Sequence, residues 1–132
     1  MPLDLAQIRR VFAAPFAWGA ADCCTAPSDG FRLLHGVDPM ALLRGRYTTF
    51  SGAARASMRM GGFEQMAQAC AGDAGLFDGV GAVGEIGLVD MTGLPAAPHF
   101  NAALALRMPD GWWVKMENGV LVAPDALRSW RA

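Results

Sequence analysis

Between Leu3 and Phe12 the apolar residues Leu5, Ile8, Val11 and Phe12 recur at the spacing of one helical face, and Pro15 ends the pattern. A short amphipathic helix is predicted there, leading into the loop Phe16-Ala17-Trp18-Gly19-Ala20-Ala21. Asp22 reads as a helix N-cap and Cys23 as the first helical residue of a segment that runs to about Leu34. Phe31 and Leu34 lie on one side of that segment and Gly36 stops it, while Pro27, about one turn in, makes its start irregular. Asp38-Pro39 opens a helical turn over Met40 to Leu43. Thr49 or Ser51 caps a further helix through Met60, Gly61-Gly62 breaks it, and Phe63 to Ala71 carries Phe63, Met66 and Cys70 along one face.

The stretch from Gly72 to Gly84, rich in Gly and Asp, marks a change of character. Ile86 to Met91, Phe100 to Met108, Trp112 to Glu117 and Gly119 to Val122 are short runs of aliphatic and aromatic residues, joined at Asp110-Gly111 and Asn118-Gly119. Those dipeptides favour type I′ hairpin turns, so the second half is expected to be an antiparallel sheet. Asp125 to Trp130 reads as a closing turn or short helix that packs Leu127 and Trp130. Helices followed by strands predict an α+β fold in one domain, residues 1–132.

A composition of 53% hydrophobic and 17% charged residues fits a packed domain of 132 residues. Net charge is −1 and the basic residues are scattered, which argues against nucleic acid and anionic membrane surfaces as partners. No apolar run approaches the roughly 20 residues of a membrane span, and Met1-Pro2-Leu3-Asp4-Leu5 does not resemble a secretion signal, so synthesis in the cytoplasm is expected. Cys23, Cys24 and Cys70 lack the spacing of a disulfide framework or of a structural zinc site, so free thiols and no metal are expected.

Cys24 and Cys70 read as small buried hydrophobes. Cys23 differs by position, because a thiol at a helix start after a glycine-containing loop is open to a substrate and lies where the helix dipole favours a thiolate. Such a nucleophile needs a base. His35, at the far end of the same helix, is about 18 Å away and is excluded by that distance. His99, after Pro98 at the start of a strand, either opposes the cysteine helix across the sheet or is a loop histidine bonded to solvent. Trp112 and Trp113 alternate across their strand, so one packs in the core and the other lines a groove, with Trp18 as a candidate opposite wall; the alternative is that all of them fill core volume.

Trp18-Gly19-Ala20-Ala21-Asp22-Cys23 at a helix start, the strand Gly84-Glu85-Ile86-Gly87-Leu88-Val89, and His99 leading into Phe100-Asn101-Ala102-Ala103-Leu104-Ala105-Leu106 resemble the NlpC-type cell-wall peptidases of the papain-like superfamily. The chain is most similar to their small relatives in phage and prophage tail modules and gene transfer agents. The resemblance implies a papain-like arrangement, Cys23 as nucleophile, His99 as general base and then acid, and no metal or organic cofactor. Trp18, Asp22 and Trp113 are the candidate substrate contacts of such a site. The third position, usually His, Asn or Gln, falls near Trp113-Val114-Lys115, and a lysine ammonium has no acceptor for an imidazole N–H. Glu117, on the same strand face as Lys115, either takes that role or is a solvated carboxylate; Glu85 reads as structural.

The substrate implied is a peptidoglycan stem peptide, cleaved at an amide bond through an acyl-enzyme. The implied partners are phage tail or tail-hub proteins, and the implied location is a virion or tail-like particle acting at the host cell envelope. The alternative is a tail-assembly or hub protein that keeps the fold without turnover.

Overall fold

The computed structural model describes residues 4–94 and 101–132, which form four helices and one six-stranded sheet. In chain order these are α1 (Leu5–Ala13), α2 (Thr25–His35), α3 (Phe50–Arg59), α4 (Phe63–Asp73), β1 (Phe77–Asp78), β2 (Ile86–Asp90), β3 (Ala102–Met108), β4 (Gly111–Met116), β5 (Gly119–Ala123) and β6 (Arg128–Arg131). The spatial order is β1-β6-β2-β3-β4-β5, and every pairing is antiparallel. The fold is α+β.

Local chemistry explains the helix ends. The Asp4 carboxylate accepts from the Gln7 amide, Thr49 accepts from Gly52, and Gly36 closes α2 at φ +73° with its N–H on the Arg32 carbonyl. Ile8 and Phe12 of α1, Phe31 and Leu34 of α2, and Met66 and Cys70 of α4 are buried, as their spacing requires. Met40 to Leu43 is a hydrogen-bonded turn rather than a helix, with the Leu43 and Arg44 amides both on the Met40 carbonyl.

The sheet separates two cores. Ile86, Leu88, Leu104, Leu106 and Trp130 face the helices, while Val89, Ala103, Ala105, Trp112 and Val114 form a smaller core on the opposite face. Two glycines set these distances. A β-carbon on Gly30 would stand 2.7 Å from the Leu106 side chain, so α2 lies directly on β3. One on Gly87 would stand 2.5 Å from the Trp112 ring, which lies over β2 from two strands away.

Four expectations are corrected. Arg128–Arg131 is a strand seated between β1 and β2, so the final segment is neither a turn nor a helix. Trp130 is buried there, but Leu127 is exposed, since only alternate residues of an extended segment reach one face. The hairpins fall at the expected joins with different centres. Met108 pairs with Gly111 and Met116 with Gly119, which makes Pro109-Asp110 and Glu117-Asn118 the central residues. No described non-glycine residue has positive φ, so type I′ turns do not form; Gly111 and Gly119 instead take φ +145° just after each turn. Glu117 therefore belongs to a turn and not to the strand face of Lys115.

The carboxylate of Glu85 fastens the loop before β2 to the last strand. It accepts from the Gly81 amide at 2.9 Å, the Val80 amide at 3.2 Å and the Ser129 hydroxyl at 2.8 Å. Burial pushes its pKa up, but these hydrogen bonds outweigh burial and hold it below the usual carboxylate value.

Two outcomes are expected. Gly87→Ala forces a methyl into the Trp112 ring and costs about 1–3 kcal/mol in denaturant unfolding. Because the folded pKa of Glu85 is depressed, its contribution is present above about pH 4.5 and is lost as pH falls below that. The stability gap between wild type and Glu85→Gln, followed by unfolding as a function of pH, should shrink on acidification.

Candidate active site

The loop before α2 is built around the carboxylate of Asp22, which is completely buried. Oδ1 accepts from the Cys24 and Thr25 amides, both at 2.8 Å. Oδ2 accepts from the Gly19 amide and the Tyr47 hydroxyl, also at 2.8 Å. In return the Asp22 amide donates to the Thr25 hydroxyl at 2.8 Å, and its carbonyl accepts from the Ala26 amide at 3.1 Å. Asp22 thus caps the helix from two residues further back than a cap at its first turn, and Cys23 and Cys24 form the turn leading into α2 rather than its first residues. With all four acceptor positions of the carboxylate engaged by the chain, Asp22 shapes this turn from below the surface.

This capping distributes the amides unequally. Those of Asp22, Cys24, Thr25 and Ala26 have acceptors, and the Cys23 N–H has none among the described residues. Cys23 is half-buried and packs against both cores, whereas Cys24 is buried. The Cys24 thiol is held protonated, its pKa raised first by a hydrogen bond with Cys23, then by burial and the nearby charges. Burial likewise pushes the Cys70 thiol up to about 11. Asp22, Cys23 and Cys24 bring three potential metal donors within 4.8 Å of one another, but the carboxylate's lone pairs are already committed to N–H and O–H donors, a poor donor set for a cation.

The direction of α2 fixes which end of the sheet Cys23 faces. At the end of α2 a ring nitrogen of His35 is 2.8 Å from the Gly84 carbonyl, and the Gly84 amide bonds to Arg107 near the end of β3. Gly30, midway along α2, lies on Leu106. Helix and strand therefore run in the same direction, and the start of α2 lies toward Ala102, where β3 begins. His99, three residues earlier in the chain, lies outside the described residues. Carrying the β3–β4 register on from Leu106–Trp113 sets the Glu117-Asn118 turn beside that same end.

Trp18 is half-buried, edge-on to Phe16 at 5.0 Å and tilted against Phe50 at 5.5 Å. Trp113 is also half-buried, edge-on to Phe12 at 5.6 Å, and its indole N–H donates to Asp110 at 2.7 Å. It lines a groove of about 590 Å³ between the end of α1 and β5, together with Arg9, Phe16, Lys115 and Glu117. Trp18 is not part of this groove's lining. Lys115 is the residue whose role sequence reasoning missed. Its ammonium is buried and donates to the Phe12 carbonyl at 2.6 Å and to the Ala14 carbonyl, capping the end of α1. Burial lowers its pKa. The only sequence signal was a lysine in an otherwise apolar strand.

Among known proteins, a family model for a domain of unknown function, DUF6950, matches residues 4–132. No curated protein matches the chain, and no solved structure does. No helix among the described residues is long and apolar enough to cross a membrane.

The Asp22 cage sets an expected order of stabilities. Tyr47→Phe removes one donor from a buried charge and should cost about 1.5–3 kcal/mol. Asp22→Asn turns an NH₂ group toward existing donors and should cost more; equilibrium denaturation of the two variants measures the difference.

Proposed function

The chain belongs to the DUF6950 family, and we propose that it is a cysteine peptidase or amidase of NlpC type, with the papain-like arrangement that class implies, acting on peptidoglycan stem peptides from a phage tail or tail-like particle. The reading is supported by one observation: a half-buried cysteine just before α2 lies at the end of the sheet where β3 begins, the strand into which His99 leads in the sequence.

In this mechanism the Cys23 thiolate attacks the amide carbonyl, and the Cys23 N–H, which has no acceptor among the described residues, supplies one donor to the oxyanion. His99 takes the thiol proton and returns it to the leaving amine, which departs as the carbonyl re-forms and leaves an acyl-enzyme. A water deprotonated by His99 then attacks the thioester, the carboxylic acid product leaves, and the thiol is restored. Glu117, in the turn beside the start of β3, is the candidate that orients His99, because Lys115 is committed to the carbonyls of α1. Trp113 and its groove are candidates for holding the peptide. The same commitment of Lys115 favours a second reading, in which the fold serves as a tail-hub component without turnover.

The test is iodoacetamide alkylation of Cys23 as a function of pH, located by mass spectrometry. Wild type should alkylate well below the ordinary thiol range of about 8.5, His99→Ala should abolish this, and purified sacculi should lose stem-peptide amide bonds only with intact Cys23. Alkylation of Cys23 at the rate of an ordinary thiol overturns the peptidase reading in favour of the hub component.

A further inference from the structure

We propose that the buried thiol of Cys24 is a positioning residue for Cys23, donating its S–H to the Cys23 sulfur and steadying the thiolate from the core side. The inference rests on the reading of Cys23 as a nucleophile and adds a partner to that site. Adjacent residues at a helix start ordinarily send their side chains in different directions. Here the two sulfurs lie within 4.8 Å of each other and of an Asp22 oxygen.

The backbone holds this geometry. The Cys24 amide is fixed on Asp22 Oδ1 at 2.8 Å, and its carbonyl accepts from the Ser28 hydroxyl at 2.7 Å and the Ser28 amide at 3.3 Å. Cys24 cannot swing outward without breaking the cap. Its side chain is enclosed by the helix-side core, so solvent and substrate reach Cys23 alone.

The division of labour follows from burial. Two thiolates this close, beside a carboxylate, are mutually repulsive, so one thiol keeps its proton. Cys24, the more deeply buried, pays the larger desolvation cost on ionising and is the one that stays neutral. A neutral S–H facing an ionised sulfur is a donor, weaker than a hydroxyl but strengthened by the charge it meets. It supplies from below what the helix amides do not, since those of Cys24 and Thr25 are taken by Asp22.

The test is the pH profile of Cys23 alkylation by iodoacetamide in Cys24→Ala and Cys24→Ser, with unfolding curves recorded alongside. Cys24→Ala should move the midpoint up by roughly one pH unit, about a tenfold loss of rate below the midpoint. Cys24→Ser, whose hydroxyl donates, should restore the wild-type midpoint. Cys24→Val fills the space without a donor and should behave as alanine, which keeps the comparison open if the alanine variant fails to fold. Equal midpoints in the serine variant and the apolar variants overturn the proposal, because packing alone then explains Cys24. The comparison is repeated in His99→Ala: a wild-type profile untouched by His99→Ala sinks the peptidase reading, whereas the serine-to-alanine difference persists there if the Cys24 donor exists.

Discussion

A buried carboxylate with four donors is the constraint on which the rest of this structure depends. An unpaired charge at the position of Asp22 would be prohibitively costly, and the chain meets that cost by converging three segments on it. The loop contributes the Gly19 amide, the helix start contributes two amides, and the connection after α2 contributes Tyr47. Gly19 is compulsory within this arrangement, since it takes φ +87° and a β-carbon there would stand 2.2 Å from the Tyr47 carbonyl oxygen. Tyr47 is held in turn by a connection that Arg44 ties to Asp29 and Asp38 at 2.6 and 3.0 Å. Burial keeps the Tyr47 phenol protonated, so it remains a donor to Asp22.

A second buried ion governs the other side of the molecule. Lys115 reaches from the sheet to the last carbonyls of α1, where a cation completes unsatisfied acceptors and opposes the helix dipole. One strand thereby fixes both the exit of α1 and the wall of the neighbouring groove. Asp22 and Lys115 bracket the segment from Ala14 to Ala21, a loop held internally by the Ala17–Ala21 bridge, the Ala20 amide on the Ala17 carbonyl and the Phe16–Trp18 contact.

The helices were legible because their signals are local: a capping side chain, apolar residues at helical spacing, a glycine or proline at the end. The joins of the two hairpins were legible for the same reason. Their centres were not, because register is decided by cross-strand pairing, which places Glu117 in a turn despite the apparent continuity of its strand. β6 was hidden by Leu127 and Trp130, whose spacing imitates a helix while the sheet uses only Trp130. At the site, Asp22-Cys23 was visible as a capping motif, but the role of Tyr47 as a donor from a distant turn has no local signature. Neither does the engagement of Lys115, which depends on where α1 ends.

The placement of β6 between β1 and β2 has a consequence for how the molecule is made. Neighbouring strands in sequence can pair as they emerge from the ribosome, but the outer edge of β2 stays open until Arg128–Arg131 is synthesised. Until then Ile86, Leu88 and their backbone amides present an unpaired apolar edge of the kind that pairs with other chains. The central sheet is therefore closed only by the last of its strands in sequence order, and the domain is exposed to mispairing at that edge until β6 is in place.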